Sequence, residues 1–147
     1  IMTPVGGGGL LSGTAIAARH ISPKTAVIAG EPAGAQDAYQ SLASGNLVAS
    51  ENPVTIADGL LTSLGKITFP IIRELVSKIV LADDAAIVRA MRLVWERMKI
   101  VIEPSAAVPL AAILSGGLSV KGKRVCIVLS GGNVDLERLP WMSAGLI

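Results

Sequence analysis

Four consecutive glycines, Gly6 to Gly9, stand between a short apolar run ending at Pro4-Val5 and an apolar, alanine-rich helical pattern. Glycine gives up more conformational freedom on folding than any other residue and is poor in helix or strand, so a run of four requires a reason. Close approach of a ligand supplies one. With no Cβ in the way, several backbone N–H groups can converge on one anion, and the helix that follows adds its positive N-terminal end. Strand, glycine turn and helix start together form a phosphate cup. Two more chemical clusters stand at predicted strand ends. Glu31 and Asp37 flank a turn with Pro32 and Gly34 between them; as a bare pair of acids they are ordinarily solvated. Ser130-Gly131-Gly132-Asn133 closes the apolar run Arg124 to Leu129.

The elements that must carry these clusters are readable from periodicity and punctuation. Leu10 to His20 predicts a helix closed by Ser22-Pro23, and Thr25 to Ala29 a compact strand, together the size of one βαβ unit. Gln36 to Ala43 predicts a short helix, Gly45 to Pro53 a polar loop, and Ile56 to Leu60 a loop with turn chemistry at Asp58-Gly59. Pro70 to Val76 reads as a helix and Lys78 to Leu81 as a strand. Asp83 reads as the N-cap of the longest helix, to Lys99, whose apolar face is Ile87, Ala90, Met91, Val94 and Met98. Ala106 to Leu114 reads as a buried helix ended by Gly116-Gly117, and Arg124 to Leu129 as the clearest strand. The expected fold is α/β, an open, mainly parallel sheet with helices on both faces. Ligands then sit outside the carboxyl ends of the strands, where all three clusters fall.

Composition removes whole classes of function. Of 147 residues, 51% are hydrophobic and 16% charged, which excludes disorder and provides one ordinary domain's core. No apolar run approaches the roughly 18 residues that span a bilayer, so no membrane segment is expected. A net charge of +2 without a basic stripe, and few aromatic residues, exclude a nucleic-acid partner. The one cysteine, Cys126, lies mid-run and is expected buried and inert, in a reducing, cytoplasmic compartment. His20 reads as a surface residue, and Trp95 and the methionines as core or interface. The chain opens at Ile1 inside a strand-like run, which reads as the C-terminal piece of a longer protein.

The glycine loop, Glu31-Pro32, Ile56-Ala57-Asp58-Gly59, Leu93 to Lys99, Glu103-Pro104-Ser105 and Cys126 to Leu136 occur in that order in a known family. Over nearly the whole length the chain resembles the serine racemase and serine/threonine dehydratase family. These are fold-type II pyridoxal-phosphate enzymes with a tryptophan synthase β-like fold. The resemblance implies that residues 1–147 are the C-terminal part of the large, cofactor-binding domain. It implies pyridoxal 5'-phosphate as cofactor, its phosphate held by Gly6, Gly7, Gly8 and Gly9. Ser130 matches the serine facing the pyridine nitrogen, where a hydroxyl leaves that nitrogen largely unprotonated. Asn133 steadies the same loop, Asp58 and Gly59 lie beside the cofactor, and Glu103 stands near the ring. Glu31, the carbonyl of Ala35 and Asp37 match a divalent-metal site suited to Mg²⁺ or Ca²⁺. Lys99 and Asn133 match positions that meet a nucleotide effector in animal racemases. The pattern departs where many relatives carry glycine at Ala106 or Ala107, and at Pro109, which implies altered helix packing below the ring.

The family's reaction also needs a Schiff-base lysine. In the family that residue sits in an N-terminal serine–phenylalanine–lysine motif, and none of Lys24, Lys66, Lys78, Lys99, Lys121 and Lys123 lies in one. The small domain is likewise expected outside this chain. The parent enzyme is expected to eliminate water from L-serine or L-threonine, or to racemise serine, as a homodimer; the isolated chain is expected to be inactive. The competing reading is a non-catalytic α/β module that binds a phosphate ligand.

Overall fold

Alternating strands and helices fold, in the computed structural model, into a parallel sheet covered on both faces; residues 1–142 are described. Strands β1 (Met2–Pro4), β2 (Ile28–Pro32) and β3 (Lys78–Ala82) lie side by side in that order, all parallel. Met2 stands opposite Ile28, and Ile28 opposite Lys78. On the far side of β1, one further parallel bridge joins Met2 to Ile127. The Met2 amide donates to the Cys126 carbonyl at 2.8 Å, and the Val128 amide to the Met2 carbonyl at 2.9 Å.

Two strand expectations need correction. The run from Arg124 to Leu129 lies where a fourth strand belongs, but among the described residues it makes only that single bridge to β1. Cys126 is exposed, not buried: its segment forms the outer edge of the sheet among the described residues. The second strand begins three residues later than its apolar run and continues through Gly30-Glu31-Pro32. Pairing with β3 as far as Ala82 sets that limit, and hydrophobicity does not report it.

Helices α1 (Gly9–Ile21), α2 (Asp37–Ser44) and α3 (Thr68–Leu75) cover one face. Their core includes Leu11, Ala15, Ala38 and Ile72 against Val27, Ala29 and Ile79 of the sheet side. Helix α5 (Pro104–Leu114) covers the other face, with α4 (Asp84–Met98) stacked on it. Helix α4 is amphipathic as expected, burying Ile87, Ala90, Met91 and Val94, while Met98, its last residue, is exposed. The Asp83 carboxylate caps it, accepting from the Ala86 amide at 2.6 Å. Helix α5 has no polar face, so it is buried between the sheet and α4. It approaches the sheet so closely that a Cβ on Gly30 would lie 2.8 Å from the Pro109 Cα. Ala106 and Ala107 are fully buried in the same layer. Among the described residues no helix is long and apolar enough to cross a membrane.

Candidate functional site

Parallel strands put their carboxyl ends on one edge, and the chain leaves that edge in a row of loops. The loop after Ile127, the glycine loop after β1 and the 33–36 turn after β2 are neighbours along it. The convergence expected from the sequence is therefore present.

Within the glycine loop, the amides of Gly6, Gly7, Gly8, Gly9 and Leu10 donate to no protein acceptor among the described residues. Gly8 is the N-cap of α1 with φ of 86°, a left-handed conformation that side chains rarely adopt. No side chain caps the helix, so its first N–H groups stay open at the positive end of the dipole. This is a cradle of donors in want of an anion. The Gly7 carbonyl points the other way and is held twice, by the Gly65 amide at 3.1 Å and the Thr68 hydroxyl at 2.8 Å.

A chain of contacts links this loop to Ser130. A Cβ on Gly6 would meet the Gly59 carbonyl at 3.4 Å. The Gly59 amide donates to the Ser105 hydroxyl at 3.1 Å and to the Asp58 carboxylate at 2.9 Å. Asp58 thereby acts as an exposed turn residue that closes on its own neighbour. The Glu103 carboxylate accepts from the Asn133 amide at 2.8 Å, and the Glu103 amide donates to the Gly131 carbonyl at 3.1 Å. Glu103 thus clasps the 131–133 loop from both ends of the residue. Ser130 itself is exposed, and its hydroxyl makes no hydrogen bond among the described residues. The structure therefore brings Gly6, Gly59, Glu103 and Asn133 into one continuous shelf and leaves Ser130 open beside it.

Glu31 and Asp37 are a different case. Glu31 is 1% exposed, and its two carboxylate oxygens accept from the Ala38 and Tyr39 amides, each at 2.8 Å. It caps the start of α2 from a distance. Burial pushes its carboxyl up to about 8, opposed by those two amides and assisted by the neighbouring charge of Asp37. Asp37 is also raised, by burial first, against the pull of the Leu64 amide, its own amide and the Ser50 hydroxyl. The Leu64 amide donates to the Asp37 carboxylate at 3.1 Å. Ala35 and Asp37 border a cleft of about 380 Å³ that does not include the glycine loop. No cluster of three or more acidic, His or Cys side chains suited to a metal occurs among the described residues.

Sequence reading missed the residues that hold the shelf in place. Ser105 lies inside a recognised motif, yet its bond to Gly59 spans 46 residues. Asp84 looks like an ordinary first-turn acid, but its carboxylate binds the Thr55 hydroxyl at 2.5 Å and the Ile56 amide at 3.1 Å. That pins the stretch leading to Gly59 against α4. Thr68 carried no signal at all. Lys99 is exposed at the C-cap of α4 with φ of 59°, and His20 is exposed, as expected. Trp95 is half-buried, donating to the Ile102 carbonyl at 2.9 Å.

Known proteins match this chain over most of its length. The profile of a family described as pyridoxal-phosphate dependent enzyme matches residues 1–131. A β-hydroxyaspartate dehydratase from Paracoccus denitrificans is 48% identical over 141 residues, covering 96% of this chain and 45% of the relative. A serine racemase from Dictyostelium discoideum is 54% identical over 143 residues, covering 95% of this chain and 44% of the relative. Its crystal structure superposes with a TM-score of 0.86, covering 92% of this chain and 44% of that one. A threonine deaminase from Solanum lycopersicum, 31% identical, superposes with a TM-score of 0.87 over 97% of this chain and 40% of that one. The chain spans less than half the length of the curated relatives it matches here.

Proposed function

Because the chain belongs to the pyridoxal-phosphate dependent enzymes, we propose that it is the C-terminal part of the cofactor-binding domain of a dehydratase or racemase. The substrate class is small β-hydroxy amino acids: L-serine, L-threonine or 3-hydroxyaspartate. The observation that carries this reading is the glycine loop, whose five open amides meet a helix N-terminus at the carboxyl edge of a parallel sheet.

Gly6, Gly7, Gly8 and Gly9 would hold the cofactor's phosphate, and the chemistry fits: donors without acceptors are what a dianion needs. When bound, pyridoxal phosphate supplies an electron sink next to the Cα of the amino acid. The chain's own residues bind and orient. Ser130 offers a hydroxyl, not a carboxylate, to the pyridine nitrogen, and so holds that nitrogen without charging it. Glu103 and Asn133 fix the loop that carries Ser130, and Gly59 closes the shelf through Ser105. The covalent lysine and the small domain belong, in this reading, to the N-terminal part of the same protein.

Glu31, the Ala35 carbonyl and Asp37 are assigned to a divalent cation, Mg²⁺ or Ca²⁺. Two buried carboxylates, both raised, with no ion-pair partner among the described residues, support that assignment, since a cation would offset their charge. Protein supplies only two carboxylates and a carbonyl, so waters complete the shell. The cation would be structural, because both acids are tied to backbone amides and none faces the shelf. A homodimer and a cytoplasmic setting complete the proposal, together with a nucleotide effector at Lys99 and Asn133.

The test is cofactor-dependent turnover by the full-length protein. Pyruvate from L-serine, 2-oxobutanoate from L-threonine, oxaloacetate from 3-hydroxyaspartate or D-serine from L-serine is expected. Phosphate-ligand binding with none of these products would instead identify a non-catalytic module.

A further inference from the structure

We propose that Thr68 is a positioning residue for the glycine loop: its hydroxyl, with the Gly65 amide, fixes the Gly7–Gly8 peptide so that the Gly8 N–H faces the anion. This rests on the reading of the loop as the cofactor's phosphate cup.

Thr68 is the first residue of α3, 61 positions away from Gly7 in sequence, and its Oγ1 lies 2.8 Å from the Gly7 carbonyl oxygen. It also lies 3.1 Å from the carbonyl of Gly65, in its own preceding turn. A hydroxyl has one proton to donate. If that proton went to Gly65, two oxygens without a hydrogen between them would face each other at the shorter distance. The proton therefore lies between Thr68 and Gly7. The Gly65 carbonyl keeps another donor, the Phe69 amide at 3.0 Å.

The consequence follows from the planarity of the peptide. No cis peptide occurs in the described chain, and in a trans peptide the C=O and the next N–H point to opposite sides. Two donors drawing the Gly7 carbonyl toward α3 therefore turn the Gly8 N–H away from α3. That amide is one of the five without a protein acceptor among the described residues. Free glycine peptides flip readily, so the fixed orientation needs a holder. The same packing explains the residue at position 8, where a Cβ would lie 2.7 Å from the Thr68 Oγ1. Thr68 and the glycine thus fit each other, and both polar contacts of the Thr68 hydroxyl are with backbone carbonyls, those of Gly7 and Gly65.

The experiment compares Thr68→Val, which keeps the side-chain shape and loses the hydroxyl, with Thr68→Ser, which keeps the hydroxyl. Both are made in the full-length protein. Equilibrium dialysis of the cofactor-free forms measures affinity for pyridoxal phosphate and for pyridoxal, and ³¹P NMR reads the bound phosphate. Loss of one aimed donor to a charged group is expected to weaken pyridoxal phosphate about tenfold in Thr68→Val. Pyridoxal affinity is expected to stay unchanged, the ³¹P resonance to move, and Thr68→Ser to restore both. Equal weakening of pyridoxal and pyridoxal phosphate, or no change in either, overturns the positioning role. A wild-type protein that binds both equally, with no competition from inorganic phosphate, would overturn the phosphate cup itself and the proposal with it.

Discussion

The glycine loop and the Glu31–Asp37 turn leave neighbouring strands at the same sheet edge, yet their polar groups stand in opposite conditions. The loop presents amide donors that no protein atom accepts among the described residues. In the turn, the carboxylate oxygens are already met by amides of Ala38, Tyr39 and Leu64. Unmatched donors at an open edge signal a ligand. Matched acceptors in a buried turn have a sufficient role in holding α2 and the 61–65 segment, whatever ion joins them. The two are also mechanically joined: Asp37 holds Leu64, and the next residue, Gly65, holds Gly7.

The largest effect should come from breaking the donor side. Gly8→Ala forces a side chain into left-handed backbone and places its Cβ 2.8 Å from the Ile72 Cδ1 and 2.9 Å from the Leu64 Cδ2. A destabilisation of about 3 kcal/mol in denaturant titration is expected from backbone and packing strain together, with loss of cofactor retention. Gly9→Ala meets nothing within 4 Å and is expected to be neutral or slightly stabilising. If the two variants behaved alike, the loop would be a mere flexible turn.

Breaking the acceptor side should cost somewhat less. Glu31→Gln keeps one oxygen and replaces the other by an NH₂ that cannot accept, leaving the Ala38 or Tyr39 amide unmatched in the interior. About 2 kcal/mol of lost stability is expected. If a divalent cation occupies the turn, adding Mg²⁺ or Ca²⁺ raises the melting temperature of the wild type, and this increment vanishes in the variant. A wild type indifferent to both cations would leave the turn a purely protein-held structure.

Glu103 lies between the two conditions, half-buried and bonded to one exposed amide. Glu103→Ala is expected to cost about 1 kcal/mol. Faster hydrogen exchange at Asn133 would show that the loop bearing Ser130 has been released. Unchanged exchange there would mean that the loop is held by its own glycines. The smallest effect, and of opposite sign, is expected at Thr3, whose buried hydroxyl has no partner among the described residues. Thr3→Val removes an unmatched polar atom at constant shape and should stabilise by about 0.5 kcal/mol.

What the chain announces in advance is local. The glycine turn into α1, the Asp83 cap and the apolar stripe of α4 each reside within a few consecutive turns, and each forms as its pattern predicts except at Met98, the last position of the stripe, which is exposed. The limits of β2 and the single bridge at Ile127 depend on neighbouring strands, so apolar runs misplace them. The clasp of Glu103 on Asn133 spans 30 residues and that of Thr68 on Gly7 spans 61. A hydroxyl meeting a distant carbonyl leaves no period and no compositional bias. Cys126 is the converse: its surroundings in sequence are apolar, while its exposure depends on what pairs beyond it.

The contact between Gly30 and α5 limits what can replace the glycine. The atoms a side chain at position 30 would strike are the Cα and N of Pro109 and the carbonyl carbon of Val108, all main chain. Every amino acid presents those atoms. Trimming the side chain at position 109 therefore makes no room; a larger residue at position 30 requires the α5 backbone itself to move away from the sheet. A side chain larger than hydrogen at position 30 is thus tied to the distance between two backbones, the sheet's and that of α5.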